Sequence, residues 1–120
     1  MNKIAIVDDE NNILDMLSTF LEDSYSVKTF SNPITALHDI KNNDYDLVLC
    51  DIMMPEMNGL ELLKQLRTFD NNIKVIMMTA FDTMDKALEA HKYGAKNYIK
   101  KPFNSLMEVD TKISEALSDI

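Results

Sequence analysis

The sequence predicts a three-layer α/β sandwich in which five parallel strands alternate with five helices, on three observations. Four short apolar runs stop on polar residues: Ile4–Val7 before Asp8-Asp9, Leu47–Cys50 before Asp51, Val75–Met78 before Thr79, and Tyr98-Ile99 before Lys100-Lys101-Pro102. Runs of this length suit strands buried on both faces of a parallel sheet. The stretches between them carry apolar residues at helical spacing, as amphipathic helices resting on a sheet do. Crossovers between parallel strands are nearly always right-handed, so the helices fall on both faces.

Taken in order, the first strand runs into a helix whose inner face is Ile13, Leu14, Leu17, Phe20 and Leu21. Ser26 to Phe30 forms a second, more polar strand, as expected near a sheet edge. Pro33 opens the next helix, where a missing N–H costs little, and Ile34, Leu37 and Ile40 form its inner face. The third strand ends at Asp51, and a loop through Pro55, Asn58 and Gly59 leads to a helix bearing Leu60, Leu63 and Leu66. After the fourth strand, Asp82 is placed to cap a helix carrying Met84, Ala87, Leu88 and His91, and Gly94 to stop it. The fifth strand, Asn97 to Lys100, precedes a last helix with Phe103, Leu106, Met107, Val109, Ile113 and Leu117 facing wholly or partly inward.

At 120 residues the chain is long enough for one domain that removes roughly two-thirds of its unfolded surface from water. Its apolar content of 46%, with two glycines and three prolines, argues against disorder. A net charge of −8 disfavours direct nucleic-acid binding and docking on an anionic membrane. No apolar run approaches the roughly 20 residues that span a bilayer, and none at the N-terminus suggests a signal peptide. A single cysteine, Cys50, cannot form an internal disulfide, so a cytoplasmic location is expected and the thiol is read as an inert strand residue.

Ligands of open parallel sheets bind at the carboxyl ends of the strands. Asp8, Asp9, Asp51, Thr79 and Lys101 are therefore aimed at one small pocket. Carboxylates so close cannot all ionise without a cation, and oxygen donors suit Mg²⁺. Magnesium beside carboxylates suits phosphoryl transfer, which relies on positioning and charge neutralisation. A carboxylate can itself be the nucleophile, giving an aspartyl phosphate. Lys101 would contact one phosphoryl oxygen and Thr79 would donate a hydrogen bond to another.

The segments Val7–Glu10 (VDDE), Asp46–Gly59 (DLVLCDIMMPEMNG), Met77–Ala80 (MMTA) and Tyr98–Phe103 (YIKKPF) together resemble the receiver domain of two-component response regulators, the CheY-like superfamily. The likeness covers almost the whole chain and implies a single receiver domain over residues 1–120, flavodoxin-like, with strand order 2-1-3-4-5. It implies that Asp51 is the phosphoacceptor, that Asp9 binds the metal directly, and that Asp8 acts through water. It further implies the backbone carbonyl of Met53 as a metal ligand, Thr79 and Tyr98 as the switch pair, Lys101 as the conserved-type lysine, and a cis Lys101-Pro102 bond. Expected partners are a sensor histidine kinase or histidine phosphotransfer protein, and a downstream protein docking on the helix 4–strand 5–helix 5 face. The protein would catalyse its own phosphorylation and dephosphorylation rather than turn over a separate substrate.

Met53 and Phe81 flank the path of the hydrolytic water and cannot hydrogen-bond it, so slow self-dephosphorylation is expected. His38 and His91 stand alone on helices and are read as surface residues, and Met54 and Met57 as candidates for partner contact. Aspartyl phosphatases use a second carboxylate two residues after the nucleophile, where this chain has Met53. A flavin carrier on a similar fold would show a Ser/Thr/Gly-rich loop where this chain has Asp8-Asp9-Glu10-Asn11. Before the switch aromatic, Ala95-Lys96-Asn97 departs from the acidic pattern of dimerising winged-helix regulators. A stand-alone regulator is favoured, with the N-terminal receiver of a longer regulator as the alternative.

Overall fold

Side chains alternate across the strands and divide the interior into two layers, one on each face of the sheet. A computed structural model describes residues 1–70 and 72–119. The strands are β1 (Lys3–Val7), β2 (Ser26–Phe30), β3 (Leu47–Asp51), β4 (Lys74–Thr79) and β5 (Asn97–Lys100). The helices are α1 (Asn11–Leu21), α2 (Pro33–Asn42), α3 (Gly59–Arg67), α4 (Met84–Ala90) and α5 (Leu106–Ser118). All strand pairs are parallel, in the order β2-β1-β3-β4-β5. Ala5, Val7, Val48, Cys50, Val75 and Met77 pack with residues of α2, α3 and α4. Ile4, Ile6, Leu47, Leu49, Ile76 and Met78 pack with residues of α1 and α5. The two-residue period thus supplies two cores from single strands, which is why β1, β3 and β4 read as uninterrupted apolar runs.

The polar β2 is an edge strand, as its composition suggests, and only Phe30 in it is fully buried. Gly94 closes the segment after α4 in a left-handed conformation (φ 84°), its N–H donating to His91 O. Pro33 stands at the first turn of α2, and the Lys101-Pro102 bond is cis.

Several local expectations are corrected. Ile34 is 51% exposed; Ile40 faces inward as expected and Leu37 packs partly against the core, but Pro33 and Ala36 take the place of Ile34 on the inner face. The Asn32 side chain accepts from the backbone N–H groups of Ile34 and Thr35, which sets where the helix begins and hence its phase. Leu88 and Met107 are also exposed. Asp82 does not cap α4: a 3₁₀ turn, Phe81–Thr83, precedes the helix, and the Thr83 hydroxyl takes the Ala80 N–H. Phe103 lies in the loop before α5, which starts at Leu106 with Ser105 accepting from Glu108 N–H.

Candidate functional site

The chain passes from β1 to β2 on one side and to β3 on the other, so the sheet's topological switch point lies between β1 and β3. Register then decides which side chains meet. Val7 pairs with Cys50 and Asp51 with Met78, so Asp8 and Asp51 emerge at the same level. Thr79 pairs with Lys100, one residue before Lys101. Backbone bonds run past the strand ends: Asp8 N–H to Phe30 O, Ile52 N–H to Met78 O, and Lys101 N–H to Thr79 O at 2.7 Å. The loop origins are held by the sheet itself, which pre-positions their side chains.

Asp8 is fully buried, and both its oxygens are committed. Oδ1 accepts from Glu10 N–H at 2.9 Å, and Oδ2 accepts from the Lys101 ammonium. Lys101 Nζ also stands 3.3 Å from Asp51 Oδ1 and 3.6 Å from Glu10 Oε1. Burial, and then the charge of Asp8, push Asp51 up to about 6 against the opposing pull of Lys101. Burial likewise raises Asp8, although Lys101 and the Glu10 N–H work against it. Burial lowers the Lys101 ammonium, but the bonds and charges of Asp8 and Asp51 together outweigh that and raise it.

Three carboxylates, of Asp8, Glu10 and Asp51, thus surround one ammonium, and Asp9 adds a fourth acidic group beside Asp8 and Glu10. Oxygens of Asp8, Asp9 and Glu10 can all lie within 4.8 Å of one another. Excess negative charge and hard oxygen donors fit a divalent cation such as Mg²⁺. Asp9 and Glu10 are exposed and accessible to an ion, whereas the occupied Asp8 suits an indirect role. Glu10 went unrecognised as part of the cluster, because the residue before a helix reads equally well as a solvated cap.

The acceptor loop is shaped by its backbone. Glu56 has φ 70°, and Met57 N–H donates to Pro55 O, a positive-φ γ-turn that is costly for a non-glycine residue. Asn58 and Glu61 then form a reciprocal capping box at the start of α3. Within the loop Met54 is buried and Met57 partly buried, so Met54 is removed from the candidate contact surface. Met53 is 60% exposed and Phe81 93% exposed, at the ends of β3 and β4. Thr79 is buried, and its hydroxyl bonds toward Thr83 and Ala80 rather than Asp51. Tyr98 is half-buried against the α2–α4 layer, with Lys112 donating to its carbonyl and lying 5.4 Å from its ring centroid. His38 is exposed on α2, His91 is exposed in the 3₁₀ turn His91–Tyr93 just after α4, and Cys50 is buried, which pushes its thiol pKa up.

The raised Asp51 has a consequence for stability. The folded state holds this proton from about pH 4 to 6, where the unfolded chain has lost it, so stability falls as pH rises through that window. Asp51→Asn is therefore expected to stabilise the chelator-treated protein above pH 7 by about 1–3 kcal/mol, with the gain vanishing near pH 4. Urea unfolding across pH checks this, and a gain independent of pH would contradict it.

No helix among the described residues is long and apolar enough to cross a membrane. The family model described as the response regulator receiver domain matches residues 4–113. The chain is 42% identical to the regulatory protein AtoC of Escherichia coli over 98% of its own length and 25% of that protein's. It is 38% identical to sporulation initiation phosphotransferase F of Bacillus subtilis over 85% of its length and 83% of that protein's. It spans about a quarter of the first two curated relatives and under half of several others. The receiver domain of NtrX from Brucella abortus superposes with TM-score 0.91 and 28% identity, covering 98% of this chain and 99% of that one. A Clostridium thermocellum receiver domain superposes with TM-score 0.92 and 30% identity, covering 98% and 94%. With strand order, acidic pocket and family match in agreement, the chain belongs to the response regulator receiver domains of two-component systems, a family marked by phosphorylation and Mg²⁺.

Proposed function

We propose that Asp51 accepts a phosphoryl group from a phosphohistidine on a sensor histidine kinase or a histidine phosphotransfer protein. One observation carries this reading: a buried carboxylate at the end of β3 shares the Lys101 ammonium with Asp8, beside an exposed acidic pair. An Asp51 oxygen attacks phosphorus, the P–N bond breaks, and the imidazole leaves with its electron pair and takes a proton. Asp9, Glu10, Asp51 and the Met53 carbonyl would hold Mg²⁺, with Asp8 acting from behind. When bound, that ion neutralises phosphoryl oxygens. Lys101 contacts a phosphoryl oxygen as a point charge, and Thr79 donates a hydrogen bond to another. Tyr98 follows the movement of Thr79, and the face formed by α4, β5 and α5 then presents an altered surface to a downstream protein. Self-catalysed loss of the phosphoryl group is slow, because Met53 and Phe81 offer the incoming water no hydrogen bond.

Support for the output is divided. The relative of near-equal length is named a phosphotransferase, which favours a stand-alone relay protein. AtoC, of which the chain spans a quarter, favours the receiver of a longer regulator.

Incubation with Mg²⁺ and acetyl phosphate, followed by mass spectrometry, is expected to give one hydroxylamine-labile adduct on Asp51 and none in Asp51→Asn. Once the donor is removed, Met53→Asn should lose the adduct faster than the parent. An adduct that persists in Asp51→Asn would sink the assignment.

A further inference from the structure

The Thr79 hydroxyl is already engaged. Its Oγ1 lies 2.8 Å from Thr83 Oγ1 and 3.1 Å from Ala80 O, with no bond toward Asp51. Thr83 is buried and makes its own contacts in the same knot: its Oγ1 accepts from Ala80 N–H at 3.1 Å and lies 3.2 Å from Ala80 O. Two hydroxyl protons serve this cluster. If Thr79 donates to Thr83, Thr83 donates to Ala80 O; if Thr83 donates to Thr79, Thr79 donates to Ala80 O. In both arrangements the Thr79 proton is spent on the α4 side of the loop. Thr83 is also the only buried residue of the 3₁₀ turn that leads into α4, since Phe81 and Asp82 are exposed.

We propose that Thr83 is a positioning residue, a hydroxyl latch that holds Thr79 turned away from Asp51 and has to let go before Thr79 can bind a phosphoryl oxygen. This rests on the phosphoacceptor reading of Asp51. The latch adds to the work of switching, because one buried hydrogen bond is exchanged for another. Its release also frees the turn before α4, so the same bond ties the state of the pocket to the start of that helix.

Beryllofluoride, an analogue of the bound phosphoryl group, is titrated at fixed Mg²⁺ and followed by NMR. Thr83→Val keeps the shape and removes the hydroxyl, and should bind the analogue roughly 3- to 10-fold more tightly than the parent. Thr83→Ser should stay within about twofold of the parent. In a Thr79→Ala background the gain from Thr83→Val should disappear, which a general loosening of the fold would not produce. Unchanged or weaker binding by Thr83→Val overturns the latch, weaker binding being the result if Thr83 instead polarises Thr79 toward the phosphoryl group. A gain that survives Thr79→Ala overturns it as well. Should Thr83→Val fail to fold, a crystal structure of the parent with beryllofluoride decides: separation of the two hydroxyls supports the latch, and retention of their 2.8 Å contact refutes it. A parent that binds no beryllofluoride removes the phosphoacceptor reading and the latch together, whereas a binding parent with an indifferent Thr83→Val removes the latch alone.

Discussion

Lys101→Met is expected to destabilise the chelator-treated protein by about 3–5 kcal/mol at pH 7–8, the range for removing one partner of a buried ion pair. The methionine fills most of the volume of the lysine stem, so the loss is chiefly electrostatic. Asp8 is fully buried and keeps only the Glu10 N–H as a partner, while Asp51 loses its one ionic neighbour among the described residues. Both carboxyls are already raised in the parent, chiefly by burial, and without the ammonium they rise further. The sign of the pH dependence follows. Folded carboxyls with raised pKa values hold protons that the unfolded chain releases, so the variant loses stability as pH rises and recovers toward the parent near pH 4. Millimolar Mg²⁺ should restore part of the loss, because an ion among the acidic side chains supplies charge that the variant lacks. Denaturant unfolding with chelator and with Mg²⁺ measures both effects. A variant as stable as the parent at pH 8 without metal would mean that the three carboxylates around Lys101 are not electrostatically coupled.

That coupling was legible in the amino-acid sequence for a definite reason. A parallel strand buried on both faces has to be apolar until it leaves the sheet, so the first polar residue after the run marks the strand end and the ligand side together. Asp8, Asp51 and Thr79 are each that first polar residue, and Lys101 is the second, just after Lys100. Glu10 and Thr83 do not, and both belong to the pocket by way of turn geometry that no apolar period reports. Thr83 sits four residues beyond Thr79 in a polar stretch where Asp82 is the more obvious cap. Its burial depends on the chain adopting a 3₁₀ turn before α4. Helix phase failed for a related reason. α2 and α4 are 10 and 7 residues long, too short for spacing alone to separate the buried Ala36 from the exposed Ile34, or Ala87 from Leu88. Met54, read as a candidate for partner contact, is buried while the adjacent Met53 is exposed, because the loop backbone, not the side-chain type, decides which of them turns inward.

Gly59→Ala tests the backbone that carries the acceptor. Gly59 is the first residue of α3, and its N–H donates to Ile52 O at 2.8 Å, so the helix start is pinned directly against the end of β3. A Cβ at this position would lie 2.2 Å from Asp51 O, 2.9 Å from Asp51 C and 3.0 Å from Ile52 Cα. All three atoms are backbone, so no rotamer change relieves the clash, and β3 and α3 have to separate. Alanine favours a helix over glycine by about 1 kcal/mol, but a contact of 2.2 Å outweighs that gain. The expected net cost is about 2–4 kcal/mol, at the upper end for overpacking a tight site. For a domain of this size that lowers the melting temperature by roughly 10 °C. The chemistry should suffer beyond the stability loss, because the strained atoms belong to Asp51 itself. At a temperature where the variant is fully folded, its rate of labelling by acetyl phosphate should fall at least about tenfold, since small displacements of a positioned nucleophile are costly. Serine at the same position carries the same Cβ and should behave alike, which separates the steric cause from any effect of helix propensity. An alanine variant that melts and labels like the parent would show that α3 does not press on the acceptor strand as closely as these distances require.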